Sequence, residues 1–195
     1  MAVIWSLFAA MLLTSLGVAL ALLGSAATMV TMHDRQAAEA VYAAQAAVSL
    51  ASADVRVRTD WSGVSTLGST GDLCATAGVF VDASLFPRSP WDGSLLDLHA
   101  LTSQRQADSD AVAPPGVAGP VWCLLESGPI SRLVPSDARR HPLYLAVWAA
   151  AGRDGRLLLH ATALGAAGLR ASAETSIRPG AAGDPPVRQA IRTVW

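Results

Sequence analysis

From Met1 to Met32 the chain contains no Asp, Glu, Lys, Arg or His. A run of that length and polarity has few destinies, because a helix needs only about 20 apolar residues to cross roughly 30 Å of hydrocarbon. The segment therefore predicts a membrane span. Its alternative, a cleaved secretory signal, would need a basic n-region and an apolar core of about 7–15 residues before a small-x-small site. Ser25-Ala26-Ala27 supplies the last of these, but no basic residue precedes Arg35 and the apolar run is too long. The remainder of the chain, His33 to Trp195, is the size of one small domain.

The pattern does not stop with the apolar run. Neither Gly nor Pro occurs between Ser25 and Ser62, and alanine recurs at about every third position of HDRQAAEAVYAAQAAVSLASADVRVR. Val41, Ala44, Val48, Ala51 and Val55 repeat at steps of three and four, while Asp34, Arg35, Glu39, Asp54, Arg56 and Arg58 lie off that stripe. The spacing predicts one helix of about 55 residues, or ~80 Å. Residues 1–32 form its membrane half and 33–59 its amphipathic half. Gly17 and Gly24 leave small patches on the membrane half where another helix can approach closely. Asp60-Trp61-Ser62-Gly63 ends the helix, with Trp61 read as an anchor for the stripe, and a Gly/Ser/Thr-rich loop continues to Asp72.

Residues 60–195 read as a β-rich domain. Cys74–Phe86 and Pro120–Glu126 are strand-like and carry the two cysteines, Cys74 and Cys123. An even count in a chain that crosses a membrane favours one disulfide in an oxidising compartment over two buried thiols. That bridge would close a loop of about 50 residues and contribute ~3–4 kcal/mol on the chain-entropy picture. Between the strands, a turn at Asp92-Gly93 leads into a polar, Pro-rich stretch that reads as an exposed loop, and the 88–119 region as a variable contact surface. Leu143–Ala150, Arg156–Leu164 and Leu169–Ile177 predict a three-stranded antiparallel meander, its first turn at Gly152-Arg153-Asp154-Gly155. In the last strand Leu169, Ala171, Ala173, Thr175 and Ile177 face one way and Arg170, Ser172, Glu174, Ser176 and Arg178 the other. The expectation is one solvated face and one face laid on the helix stripe, giving an α+β fold: a long N-terminal helix packed on a small antiparallel sheet.

Chemistry is sparse. His33, His99, His141 and His160 are widely separated, without the spacing that places two nitrogens on one metal. His160, alone on a strand, reads as a packed or surface residue rather than a catalyst. Ser65 and Ser69 lie in a loop without a nucleophile elbow, Asp108-Ser109-Asp110 lacks the Gly and Glu of a calcium loop, and no phosphate-binding glycine pattern occurs. Net charge is −1 with the signs interspersed, so no basic face offers itself to nucleic acid. No enzyme, metal or cofactor is expected.

The segment from the membrane run through AAEAVYAAQAAV resembles the start of PilX-type minor pilins and their type II secretion relatives, in the type IV pilin superfamily. In that family an apolar helix leads into an acid–base pair and an alanine-rich acidic signature. The matching positions are Asp34-Arg35, Ala38 and Ala43-Ala44-Gln45-Ala46-Ala47-Val48, with Gln45 where the family usually has Glu. The closing region, with Tyr144 near a strand start and the terminal RQAIRTVW, is similar to such pilins too. The resemblance covers about residues 10–58 and, less specifically, 141–195; the middle matches nothing. It implies a structural subunit of a type IV pilus or a related secretion or DNA-uptake pseudopilus. Its helix would be stored in inner-membrane lipid and later packed against other pilin or minor pilin subunits by the pilus platform machinery. Gly17, Gly24 and Glu39 would then be helix-assembly residues, and the β-rich domain would be extracytoplasmic at the filament surface or tip. The family's basic leader and early helix Glu do not precede Asp34 here, which leaves either a leader upstream of Met1 or a plain signal anchor. The other expectation is a single-pass envelope protein, TadE-like or a periplasmic binding module, that enters no filament.

Overall fold

The computed structural model describes residues 2–57, 85–117, 119–134, 142–152, 156–177 and 187–190. They divide into two compact units, Met1–Ala38 and Glu39–Trp195. Helix α1 runs without a break from Ala2 to Val57, 56 residues.

The first unit is the apolar part of α1, and it is long and apolar enough to cross a membrane. Its large side chains, among them Trp5, Phe8, Leu13, Leu16, Leu22 and Met29, are all exposed. The six hydroxyls of the charge-free run all bond within the helix. Ser6, Thr14, Ser15, Ser25, Thr28 and Thr31 donate to carbonyls three or four residues earlier, at 2.8–3.0 Å. Polar side chains so satisfied need no water, which suits a hydrocarbon surround.

The second unit is built on a five-stranded antiparallel sheet in the order β1-β2-β3-β4-β5. Its strands are β1 (Trp122–Pro129), β2 (Tyr144–Ala151), β3 (Leu157–Leu164), β4 (Arg170–Ile177) and β5 (Val187–Ala190). The meander falls where alternation predicts it, in register from Tyr144 opposite Leu164 to Leu157 opposite Ile177. Gly152 N–H donates to Arg156 C=O at 2.7 Å to close the first hairpin. In β1 the register shifts between Leu124 and Glu126, a bulge that sets Glu126, fully buried, opposite Val147.

One sheet face packs on α1. Ala40, Ala44, Ala47, Val48, Ala51 and Val55 are fully buried in one cluster with Leu145, Val147, Leu159, Ala161, Ala163, Ala171 and Ala173. The buried stripe is the expected one, turned slightly, so that Val41 sits at its margin and Ala40 and Ala47 at its centre. This is the long helix on an antiparallel sheet, the α+β fold.

The other face corrects the sequence reading. The stretch that reads as an exposed loop contains a helix, α2 (Leu98–Val112), and the sheet face expected to be solvated lies beneath it. Asp97 caps its start, the carboxylate accepting from Ala100 N at 2.8 Å. Ala113 ends it, leading into a tight turn in which Gly116 adopts φ +78°, where a side chain would be strained. Under it lie Trp122, Leu124, Tyr144, Ala146, Trp148 and Ala150, with Leu98 fully buried between. The sheet is thus sandwiched between two helices. Periodicity misses α2 because the residues it turns to the sheet include Thr102, Arg105 and Gln106. A polar contact stripe leaves little apolar period, though Asp97 ahead of fifteen residues free of Gly and Pro is a usable signal. Asp92-Gly93 does form a turn, with Gly93 at φ +72° and the Asp92 carboxylate accepting from Ser94 N at 2.9 Å. The Ser89 and Ser94 hydroxyls also donate to that carboxylate, and hold it below its ordinary pKa.

Candidate functional site

Cross-strand register builds the chemistry of the α2 face. Leu124, Trp148, His160 and Glu174 stand opposite one another on β1 to β4, forming a single row across the sheet. α2 crosses this row and pins it from above. Trp148 Nε1–H donates to Thr102 Oγ at 2.8 Å, and that hydroxyl donates in turn to Leu98 C=O at 2.7 Å. One turn on, Arg105 Nη2 meets Glu174 Oε1 at 2.5 Å, and its guanidinium lies 4.5 Å above the Trp122 ring centroid. Gln106 Oε1 accepts from Trp122 N at 3.0 Å, and Gln106 Nε2 donates to Asp110 at 3.0 Å.

His160 is the centre of this row. Its Nδ1 lies 2.9 Å from Glu174 Oε1 and its Nε2 3.0 Å from Thr162 Oγ1. An ionised carboxylate can only accept, so Nδ1 carries the proton and Nε2 accepts from the Thr162 hydroxyl. Trp122 meets the imidazole edge-on, ring centroids 6.1 Å apart, and Trp148 packs beside it at 5.8 Å. Burial between two indoles pushes the imidazole below its ordinary pKa, with Arg105 and Arg170 adding to the shift; Glu174 acts the other way. Glu174, bonded by His160 and facing Arg105, is lowered to about 2. The pair is therefore a neutral imidazole donating to a carboxylate.

Glu174, His160 and Thr162 have the connectivity of an acid–base–nucleophile triad. Their burial argues against that use, since Thr162 is 0% and His160 4% exposed beneath α2. A substrate cannot reach the hydroxyl in this state. What the row does is fasten α2 to the sheet, and Trp122, Arg105 and Glu174 extend it to the wall of a cleft of about 510 Å³ at the carboxyl end of α2. A second cleft, about 540 Å³, lies between Trp91, Leu95, Leu101, Leu164 and Leu169 at the other end of the helix. Two of its carboxylates are engaged locally: Asp97 caps α2, and Asp92 holds its own turn.

The residues singled out from the sequence fall elsewhere. Gly17 and Gly24 lie on the exposed apolar part of α1, with open space where a side chain would stand. Glu39 is half-buried at the start of the second unit. Cys123 is disulfide-bonded on β1, whereas Cys74, like Trp61, Asp60–Asp72 and most of Cys74–Phe86, is outside the described residues. Asp108-Ser109-Asp110 sits on α2, and Asp110 Oδ1 accepts from Gly119 N at 3.1 Å. Among the described residues no three His, Cys, Asp or Glu groups converge as metal ligands. Arg105, Trp122, Thr162 and Glu174 escape the sequence reading. Register could have found one pairing, because the β3–β4 hairpin is symmetrical about Ala167 and so sets His160 opposite Glu174; the partners on α2 could not be found without α2.

No family model matches the chain, and neither curated proteins nor solved structures give a match.

Proposed function

We propose that the chain is a minor pilin-like structural subunit of a type IV pilus or related secretion or DNA-uptake pseudopilus. One observation carries the reading: a single unbroken helix whose amino-terminal part exposes only apolar and self-satisfied side chains, and whose later part is buried against an antiparallel meander. An apolar helix half can leave lipid for a bundle of equally apolar helices at little solvation cost, so storage in a membrane and assembly into a filament use the same surface. Gly17 and Gly24 offer close approach there, and Glu39 an ion-pair site at the edge of the apolar part. The disulfide at Cys123 suits an oxidising compartment, with the amino terminus toward the cytoplasm and the sheet domain outside.

The helix-internal bonding of all six hydroxyls also favours a second reading, a single-pass envelope protein that stays in lipid. Among its described residues every side-chain hydroxyl is already bonded within the helix. The readings part in the native cells. Immunoblotting of sheared filaments is expected to find the chain, and cysteines placed at Gly17 and Gly24 to cross-link it to neighbouring subunits. Recovery solely in membranes, with filaments, adhesion and DNA uptake intact after deletion, would leave only the anchored protein.

A further inference from the structure

The polar fastenings of α2 converge on a single carboxylate oxygen. Glu174 Oε1 accepts from His160 Nδ1 at 2.9 Å and from Arg105 Nη2 at 2.5 Å. Beside them Thr102 takes the Trp148 indole N–H, and Gln106 takes the backbone N–H of Trp122. Only Leu98 and Thr102 of the helix are fully buried, so these bonds supply much of its attachment to the sheet.

Charge counting shows what a proton would do here. With His160 neutral, one carboxylate faces one guanidinium and the cluster is balanced. A proton on His160 Nε2 sets two positive groups on the same oxygen, and Arg170 on β4 opposes it as well. Among the described residues no second carboxylate compensates: α2 brings Arg105 to bear on the imidazole, β4 brings Glu174 and Arg170, and β1 and β2 face it with the uncharged rings of Trp122 and Trp148. The Thr162 hydroxyl, which donates to Nε2, would also have to turn and accept from it. Water cannot relieve the charge while α2 is in place, because His160 is 4% exposed. Burial accordingly holds the imidazole below its ordinary pKa.

The opposite face of the sheet has no such sensitivity. The cluster against α1 is apolar throughout, and β1 to β4 are joined by backbone ladders that titration does not touch.

We propose that α2 is an acid-released cover: a proton on His160 lifts the helix and bares Trp122, Tyr144 and Trp148, while the sheet and its seat on α1 stay folded. One proton drives each opening, so the lifted population rises about tenfold per pH unit below about 6.5, until the covered imidazole itself protonates. The device is independent of how α1 is used, and a filament subunit or an anchored protein would carry it equally.

The test is amide hydrogen exchange on the ¹⁵N-labelled full chain in detergent micelles, from about pH 7 to about pH 5, with protection corrected for the intrinsic effect of pH. The amides of Thr102, Arg105 and Gln106 are expected to lose protection about tenfold over the last pH unit, whereas those of Val147 and Ala161 keep theirs. The Trp148 indole N–H, assigned by its loss in Trp148→Phe, should follow α2. His160→Gln, uncharged at every pH, should keep α2 protected throughout. If that variant melts early, Glu174→Gln replaces it: with the carboxylate gone, release should begin at a higher pH than in the parent. Protection lost by α2 and the sheet together, constant protection across the range, or a response that survives in His160→Gln or does not move in Glu174→Gln would overturn the proposal.

Discussion

The two faces of the sheet are held by opposite means. Against α1 the contact is small on small: Ala40, Ala44, Ala47 and Ala51 meet Ala149, Ala161, Ala163, Ala171 and Ala173, with Val48, Val55, Leu145 and Leu159 between them. Against α2 it is few and large: Trp148, Tyr144 and Trp122 fill the space, and polar bonds through Thr102, Arg105 and Gln106 fix the helix. Close approach of small side chains maximises dispersion contacts, needs no directional partner and leaves no room for growth. Large anchors with hydrogen bonds tolerate some repacking but not the loss of a partner. The α1 face should therefore fail on enlargement and the α2 face on truncation.

The largest effect is expected for Trp148→Ala. Trp148 is among the largest fully buried side chains, and truncating a buried Trp costs about 3–5 kcal/mol. Denaturant unfolding of the full chain in micelles, monitored by near-ultraviolet dichroism, measures it. Trp148→Phe should lose much less, because the Thr102 hydroxyl keeps its bond to Leu98 C=O. Equal losses in the two variants would mean that the indole N–H, not the packed volume, holds α2.

Next comes Ala44→Leu, which forces a branched side chain into a fully buried alanine site; overpacking of this kind costs about 1–3 kcal/mol. Ala46→Leu, two residues on and exposed, is its control and should change stability by no more than about 0.5 kcal/mol. If the two variants melt alike, the helix does not seat closely on the sheet.

These two contacts also differ in how far the sequence disclosed them. Val48, Ala51 and Val55 recur at helical steps and Ala171 and Ala173 alternate with polar residues, so both partners of the α1 face could be read and matched in advance. Leu98 and Leu101 are too few to mark α2 as amphipathic, and Ser172 and Glu174 look like solvent-facing residues because polarity normally means water. The partners of Glu174 are other polar groups, Arg105 and His160, and a periodicity built on apolar residues cannot register a contact of that kind. For the same reason β1 to β4 and α1 were legible, whereas β5, α2 and the polar contacts beneath α2 were not.

The polar face should also respond to acid, with an amplitude below that of Ala44→Leu. His160 has its pKa depressed in the folded state, so below about pH 6.5 the unfolded chain takes up a proton that the folded one refuses. Glu174, lowered to about 2 from an ordinary 4.5, keeps its charge when folded while the unfolded carboxyl protonates. Both signs agree: stability is full above about pH 6.5, begins to fall through His160, and falls further below pH 4.5 through Glu174. Arg105 and Arg170 oppose a charged His160, so Glu174→Gln should extend the loss at mildly acidic pH and remove the lower phase. At neutral pH this substitution should cost only about 1 kcal/mol, since the Glu174 side chain is 38% exposed and water screens it. A flat profile from pH 7 to 4 in the parent would exclude His160 as a buried neutral partner.

The smallest effect on stability is expected on the apolar part of α1, and it carries the proposed function. At Gly17 and Gly24 an added side chain meets nothing within 4 Å. Leucine there removes two flexible glycines and can only favour the helix, by about 0.5–1 kcal/mol each. Unfolding of the sheet domain should be unchanged to within about 0.5 kcal/mol in Gly17→Leu with Gly24→Leu. If those glycines are where another helix comes close, the same pair of substitutions should reduce recovery of the chain in sheared filaments while leaving its amount in the membrane unchanged. An anchored protein that enters no filament would show neither change. A drop in the melting of the sheet domain itself would mean that the two glycines serve the fold of that domain rather than assembly.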